Sequence, residues 1–307
     1  MKKKIIILII ITVFILTAFL VPYLIFINKA PVLIVSDEGF ISYYGVKRIK
    51  KEALKISLNL FRPVKTVSVA NDAGSDLAAL AVSEISAQPY CALFPLRFAG
   101  AAKYYREKNP QIPVVILEGR YPENANPSSF SLGNNTSGYF IYKNDVESDF
   151  YKAAGAALII DKGQNGKIAV FIEPGILTQA RTAFLQGLKD FKELFNIEIG
   201  PESLFFSDYS SFYERNDISC AVVTTIGIEF VDRRTVNIPI ILFSWIEPLY
   251  APDNAVIIID DSPLAQVKKA VSMVEAGEEK GKIPSKFQFI KMKNFDKETL
   301  RKLTKTW

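Results

Sequence analysis

The side chains best suited to bind a small ligand in this 307-residue chain follow predicted strands. Short apolar runs bounded by turn residues predict strands, and in open parallel sheets ligands bind beyond the carboxyl ends of the strands. Carboxylates there accept hydrogen bonds from hydroxyls, and aromatic rings stack on the apolar face of a ring ligand. This rule selects Asp37, Glu38, Phe40, Phe94, Arg97, Glu118, Glu173, Asp208, Thr225, Trp245 and Asp261.

Each of these residues also has a structural interpretation. Asp37 could cap the helix that follows it. The rings of Phe40, Phe94 and Trp245 could pack in a core, and Arg97 could pair with a surface acid. Taken together as ligand-binding groups, the set suits a neutral polar ligand with a flat or ring-shaped face.

The composition argues against several kinds of catalytic site. The chain contains no histidine, which excludes a Ser-His-Asp triad, a Cys-His dyad and any zinc site that uses histidine. The spacing of the acidic residues matches no metal-binding loop. Residues 163–166 are interpreted as a helix-to-strand turn and not as a phosphate-binding loop. We therefore expect a protein that is not an enzyme and uses no cofactor or metal. Mixed charge along the chain also indicates no nucleic-acid partner.

An internal repeat predicts two similar halves. The segment Cys91–Phe94 is followed by Ile112–Leu117, and Cys220–Val223 is followed in the same way by Ile238–Leu242, the cysteines being 129 residues apart. Buried strands joined by a helix-length segment are typical of parallel α/β units. The fold class is therefore predicted as α/β, with two Rossmann-like lobes of parallel strands and a ligand cleft between them. The cysteines are interpreted as small buried residues.

The alternation of strands and helices places the domain boundaries. We expect a first lobe over residues 31–143 and a second over 144–255. A C-terminal segment of about 256–307 is expected to return to the first lobe or to the hinge. Within it, the basic stretch from residue 280 is interpreted as a solvated terminal helix, or as a helix close to anionic lipid headgroups.

The N-terminus has the pattern of a membrane segment. Residues 5–27 carry no charge over 23 positions, and Lys2, Lys3 and Lys4 precede them. This length spans a bilayer, and the lysines would remain on the cytoplasmic side. We therefore expect residues 1–30 to form a single-pass anchor or signal segment, with the bulk of the chain outside the cytoplasmic membrane. The sequence leaves open whether this segment is cleaved.

Several segments resemble the type I periplasmic binding proteins, and in detail the basic membrane lipoprotein family of nucleoside-binding receptors. The stretch Ile34–Phe40, followed by Tyr44-Gly45, is similar to that family's first strand and its D-x-S-F-N-x-x-x-x-G segment. Asp145–Ser148 and Ala153–Ala157 resemble its E-x-x-Y-L-A-G-x-x-A helix.

The resemblance continues through the second half of the chain. Lys167–Phe171, with Arg181, Phe184 and Gly187 after it, resembles the strand and helix that follow in the family, and Val256–Val271 resembles its late strand and helix. The match covers most of residues 32–275.

This resemblance implies a function. The chain would capture a small polar ligand, a nucleoside or a sugar-like compound, in the interlobe cleft for an ABC-type permease. Arg181 would lie on a helix that faces the cleft, although a structural salt bridge is an equal interpretation. Ile41 stands where the family has an asparagine. The alternative is therefore a ligand sensor, or a non-binding structural or interaction module of the same fold.

Overall fold

The computed structural model describes residues 17–38, 41, 45–70, 72–119, 139–161, 166–212, 216–233, 238–243, 251–260, 263–290 and 297–305. By internal contacts the chain divides into two compact units. Unit 1 comprises Met1–Ile116, Ser137–Phe140 and Val274–Glu279. Unit 2 comprises Leu117–Thr136, Ile141–Met273 and Lys280–Trp307.

Strands and helices alternate along most of the described chain, as the sequence predicts. The helices are α1 (17–28), α2 (Val46–Leu60), α3 (Ser75–Ile85), α4 (Ala99–Lys108), α5 (Val146–Asp161), α6 (Leu177–Leu194), α7 (Ile228–Arg233), α8 (Pro263–Ala276) and α9 (Lys297–Lys305). The strands are β1 (Val32–Asp37), β2 (Val64–Val69), β3 (Cys91–Pro95), β4 (Val114–Gly119), β5 (Tyr139–Asn144), β6 (Lys167–Phe171), β7 (Glu202–Phe206), β8 (Ile218–Val223), β9 (Ile240–Phe243), β10 (Ala255–Asp260), β11 (Lys280–Ile283) and β12 (Lys286–Phe289).

The first sheet has the strand order β2-β1-β3-β4-β5-β11. Its strand β1 lies parallel to β2 and to β3, and Val32 is opposite Cys91 in the β1–β3 pair. All six residues of β1 are buried, which accounts for a continuous apolar run without alternation.

The second sheet has the order β7-β6-β8-β9-β10-β12, in which only the last pair is antiparallel among those recorded for the described strands. The five parallel strands thus repeat the order of the first sheet. On one face, α5 packs against α6 through the small residues of Ala153–Ala157, and Phe150 stacks on Phe243 with ring centroids 5.1 Å apart.

The C-terminal segment is divided between the two units. Strand β10 pairs with β9, residues 256–273 and 280–307 belong to unit 2, and Val274–Glu279 belong to unit 1. A buried carboxylate holds part of this segment within unit 2. Asp149 accepts hydrogen bonds from the backbone N–H and the hydroxyl of Ser285, at 2.8 Å and 2.5 Å. The basic stretch after residue 280 forms β11, at the edge of the first sheet, and β12, at the edge of the second, before the terminal helix α9.

The predicted membrane segment lies partly outside the description, which begins at residue 17. Residues 17–28 are helical, and Phe19 and Tyr23 are largely exposed. Among the described residues, none of the helices combines the length and apolar character that a bilayer crossing requires.

Candidate functional site

Both sheets have a position at which the strand order reverses. In the first it lies between β1 and β3, and in the second between β6 and β8, because the chain runs to one side of β1 or β6 and then returns to the other. At such a switch point the loops after the two strands separate and leave a crevice at their carboxyl ends. These two edges are the candidate functional sites.

At the first switch point a carboxylate meets a guanidinium. Asp37 ends β1 and is buried, and Arg97 lies in the 3₁₀ turn Leu96–Phe98 directly after β3. The guanidinium of Arg97 forms an ion pair with the Asp37 carboxylate, and it also lies 4.8 Å from the ring centroid of Phe98. The structure therefore brings together two residues that the sequence selected separately.

The second switch point also carries a carboxylate, and the described residues give it no such ion pair. Glu173 follows β6, and its Oε2 atom is buried with no hydrogen-bond partner among the described residues. Beside it, the Thr224 hydroxyl donates to the Phe171 carbonyl at 3.0 Å, which joins the ends of β8 and β6. A buried carboxylate oxygen without a donor is costly, so this atom is a ready acceptor for a hydroxyl or ammonium group.

The two carboxylates occupy equivalent positions. In the first sheet Val32 lies opposite Cys91, and Asp37 is five residues after Val32. In the second sheet Ile168 lies opposite Cys220, and Glu173 is five residues after Ile168. Six residues after Cys91 is Arg97, whereas six residues after Cys220 is Ile226. The second site has an isoleucine where the first has the arginine, so among the described residues this turn offers Glu173 no counterpart of Arg97.

An aromatic cluster lies beneath the second site. The ring of Phe171, the last residue of β6, lies within 5.3–6.5 Å, centroid to centroid, of four other rings. These belong to Phe206, Tyr209, Phe212 and Phe230. Phe171 is fully buried and Tyr209 is partly exposed, so the cluster is chiefly packing, with its rim open to solvent.

The remaining predicted residues with described side chains lie in varied surroundings. Glu38 is exposed. Phe94 is fully buried, with its ring 6.0 Å from that of Tyr105, so its described position is in the core of unit 1. The Arg181 guanidinium lies over the Phe205 ring at 5.1 Å on the exposed side of α6.

Asp208 closes a turn after β7. Its carboxylate accepts hydrogen bonds from the Ser210 hydroxyl and from the Ser211 backbone N–H, the latter at 2.8 Å. These bonds, that of Ser210 foremost, hold the pKa of Asp208 below its usual value. They are also the contacts expected of a residue that stabilises a turn.

Five predicted residues cannot be placed at side-chain level. Phe40, Trp245 and Asp261 lie outside the described residues. Glu118 lies in β4 and Thr225 in the 3₁₀ turn Thr225–Gly227, but the description of both is limited to the backbone.

Sequence reasoning missed Thr224 because it selected Thr225, the next residue along the chain. The signal was present: Thr224 is the first polar residue after the apolar run Cys220–Val223. Within the described part of the chain, no cluster of three acidic, cysteine or histidine residues is arranged to hold a metal ion.

Comparison with known proteins shows the fold. The chain is similar to a transcriptional activator of the comK gene from Bacillus halodurans, with a TM-score of 0.56, 11% identity, and coverage of 90% of this chain and 95% of that one. It is also similar to an ABC transporter periplasmic solute-binding protein from Actinobacillus succinogenes 130z with bound D-allose. There the TM-score is 0.50 and the identity 14%, covering 87% of this chain and 100% of the other.

No protein-family profile matches the sequence, and neither does any curated protein. The fold is that of the type I periplasmic binding proteins, α/β with parallel sheets.

Proposed function

We propose that this chain is a membrane-tethered, extracytoplasmic binding protein that captures a small polar ligand and delivers it to an ABC-type permease. The ligand contacts are made at the carboxyl ends of β1 and β3 and of β6 and β8. The protein makes and breaks no covalent bonds; its function is binding. The cleft expected between the two lobes stays a prediction of the sequence.

The observation that carries this proposal is the pair of equivalent carboxylates at the two switch points. Asp37 is paired with Arg97, and Glu173 presents a buried oxygen that has no donor among the described residues. Proteins satisfy nearly all buried polar atoms, so an exception at a switch point indicates a ligand group that completes it. Carboxylates and a guanidinium together recognise compounds with several hydroxyl groups.

The choice of ligand class follows from the same chemistry. Sugars and nucleosides carry adjacent hydroxyls, and the solute-binding protein from Actinobacillus succinogenes holds D-allose. We therefore place sugars first and nucleosides second. The residues 5–27 support the tether through their length and lack of charge.

A thermal-shift screen tests the binding function. Residues 31–307, which contain both sheets, would be heated with members of four compound classes: sugars, nucleosides, amino acids and small amides. A ligand present at 100 times its dissociation constant stabilises a protein by about 2.7 kcal/mol, which raises the melting temperature measurably. Stabilisation by sugars or nucleosides supports the proposal. The absence of any shift across all four classes favours the non-binding module, and turnover of a compound would reveal an enzyme.

A further inference from the structure

The outer face of α2 is an exposed, leucine-containing surface. The helix turns Ile49, Ala53 and Ile56 into the core of unit 1. On the opposite side Leu54 and Leu58, one turn apart, are 59% and 66% exposed. These two side chains are neighbours and form one small exposed apolar surface on the helix.

Lysines surround these leucines. Lys47, Lys50 and Lys51 are exposed, and at 100° per residue they project on the same side of α2 as Leu54 and Leu58. We call these five residues the docking face. The whole helix carries five basic residues and a single acidic one, Glu52, which is ion-paired with Lys55 at 2.7 Å. A basic amphipathic helix of this kind is typical of proteins that lie on membrane surfaces.

A groove continues the docking face toward the edge of the first sheet. It has a volume of about 790 Å³ and lies between α2 and β2, the terminal strand in the order of that sheet. Its lining is mainly apolar and includes Phe26 and Leu54, while Lys50 and Lys65 contribute the charge. The groove therefore connects α2 with the end of α1.

Contacts hold the end of α1 against this side of unit 1. The rings of Phe26 and Phe61 lie 5.9 Å apart, and the Lys29 ammonium lies 4.5 Å from the Phe61 ring centroid. The Arg62 guanidinium donates a hydrogen bond of 2.9 Å to the Ala30 carbonyl.

Residues 29–31 alone separate α1 from β1. Three extended residues reach about 10 Å. A bilayer that holds residues 5–27 would therefore lie close to β1 and the first sheet.

We propose that the docking face lies on an anionic lipid surface, next to the membrane segment. The leucines enter the headgroup region, and the lysines stay beside the lipid phosphates. This inference rests on the membrane tether of the proposed function and is independent of ligand capture. It fixes which side of unit 1 faces the membrane.

Charge favours lipid over a second copy of the chain. A symmetric dimer formed through this surface would bring the lysines of one docking face against those of the other. Like charges in such an interface oppose association, whereas anionic headgroups neutralise them.

The test places a fluorescent probe on the docking face of the full chain. The protein would be reconstituted into lipid nanodiscs of phosphatidylcholine, with and without about one-third phosphatidylglycerol. An environment-sensitive dye would be attached to Leu58→Cys; the native Cys91 and Cys220 are fully buried and escape labelling. We expect blue-shifted emission and quenching by spin-labelled lipid in the anionic discs, with reversal at high salt.

Leu77→Cys is the matched control. Leu77 is 59% exposed on α3, close to the value for Leu58. Since β2 and β3 lie on opposite sides of β1, right-handed crossovers place α3 on the other face of the sheet from α2. A dye there should remain in water in both kinds of disc.

Charge variants separate a specific surface from general attraction. Lys50→Gln/Lys51→Gln should shift the probe equilibrium toward water by about fivefold for each lysine removed. Lys103→Gln/Lys108→Gln, which removes two exposed lysines of α4, should leave the equilibrium unchanged.

Three results would overturn the inference. If the dye at position 58 stays in water in anionic discs, the docking face does not lie on lipid, and the tether is unaffected by this result. A blue shift in lipid-free detergent that grows with protein concentration identifies a second copy instead. If the chain does not co-elute with the discs, it has no membrane tether. Solute binding, measured on the same preparation, does not depend on these three results. A failure of ligand capture is therefore distinguished from a failure of lipid docking.

Discussion

At the scale of single residues, the Asp37–Arg97 pair is expected to contribute to stability. The Asp37 side chain is only 8% exposed, so removal of the guanidinium leaves a nearly buried carboxylate without this counter-ion. We expect Arg97→Ala to lower the free energy of unfolding by about 1–3 kcal/mol. Urea unfolding of residues 31–307, followed by circular dichroism, measures the change.

A surface ion pair supplies the control for this prediction. Lys282 and Glu147 lie 2.6 Å apart, and both side chains are 53% exposed. Lys282→Ala should cost less than about 1 kcal/mol, because solvent screens exposed pairs. An Arg97→Ala variant as stable as Lys282→Ala would show that the Asp37 carboxylate does not depend on its partner.

The hydroxyl of Tyr105 is a second residue whose role can be tested. It is buried and has no hydrogen-bond partner among the described residues. Tyr105→Phe removes this desolvated group and opens no cavity, so we expect equal or greater stability. Tyr151→Phe is the contrast, because its hydroxyl donates to Asp190 at 3.1 Å and its loss should cost about 0.5–1.5 kcal/mol.

The same tyrosine gives a pH dependence. Burial raises the pKa of Tyr105 from 10.0 to about 12. Between these values the unfolded chain has released the proton and the folded chain retains it, so stability falls as the pH rises. Unfolding midpoints measured from about pH 9 to about pH 12 should fall less steeply in Tyr105→Phe than in the parent. Identical slopes would contradict the assignment.

At the scale of the elements, the contact between α5 and α6 depends on a glycine. A Cβ atom on Gly187 would lie 2.5 Å from the Tyr151 carbonyl oxygen and 2.9 Å from the Ala154 Cβ. Alanine favours a helix by about 1 kcal/mol over glycine, but overpacking costs about 1–3 kcal/mol. Gly187→Ala should therefore have a lower free energy of unfolding, measured by urea denaturation.

Gly200 provides the comparison at this scale. Its added Cβ would lie 3.5 Å from Lys192 Cδ, which is an ordinary contact. Gly200→Ala should change stability by no more than about 0.5 kcal/mol. If Gly187→Ala were equally harmless, the close approach of the two helices would not require glycine.

The elements were largely predictable because buried parallel strands leave a strong signal. The apolar runs at Val32–Val35 and Cys220–Val223 identified β1 and β8. The strands β11 and β12 were not predicted, because Lys280–Ile283 and Lys286–Phe289 are short, charged edge segments. Their pairing depends on distant partners such as Asp149, which sequence periodicity does not reveal.

At the scale of the whole molecule, the sequence predicted two lobes of repeated topology, and the structure has two sheets of one strand order. The cysteines are small core residues, as interpreted, and they also mark the register that makes Asp37 and Glu173 equivalent. The pairing of Asp37 with Arg97 could not be read from the sequence, because it depends on which loops meet after the strands.

The most direct test of ligand capture is a calorimetric titration of the compound that the thermal-shift screen returns. We predict saturable heat with one ligand per chain. Glu173→Gln should bind roughly ten- to a hundredfold more weakly, because a charge-assisted hydrogen bond is lost, and its unfolding midpoint should not fall. Lys282→Ala should bind like the parent chain. Full affinity in Glu173→Gln, or no saturable heat with any compound, would contradict the account.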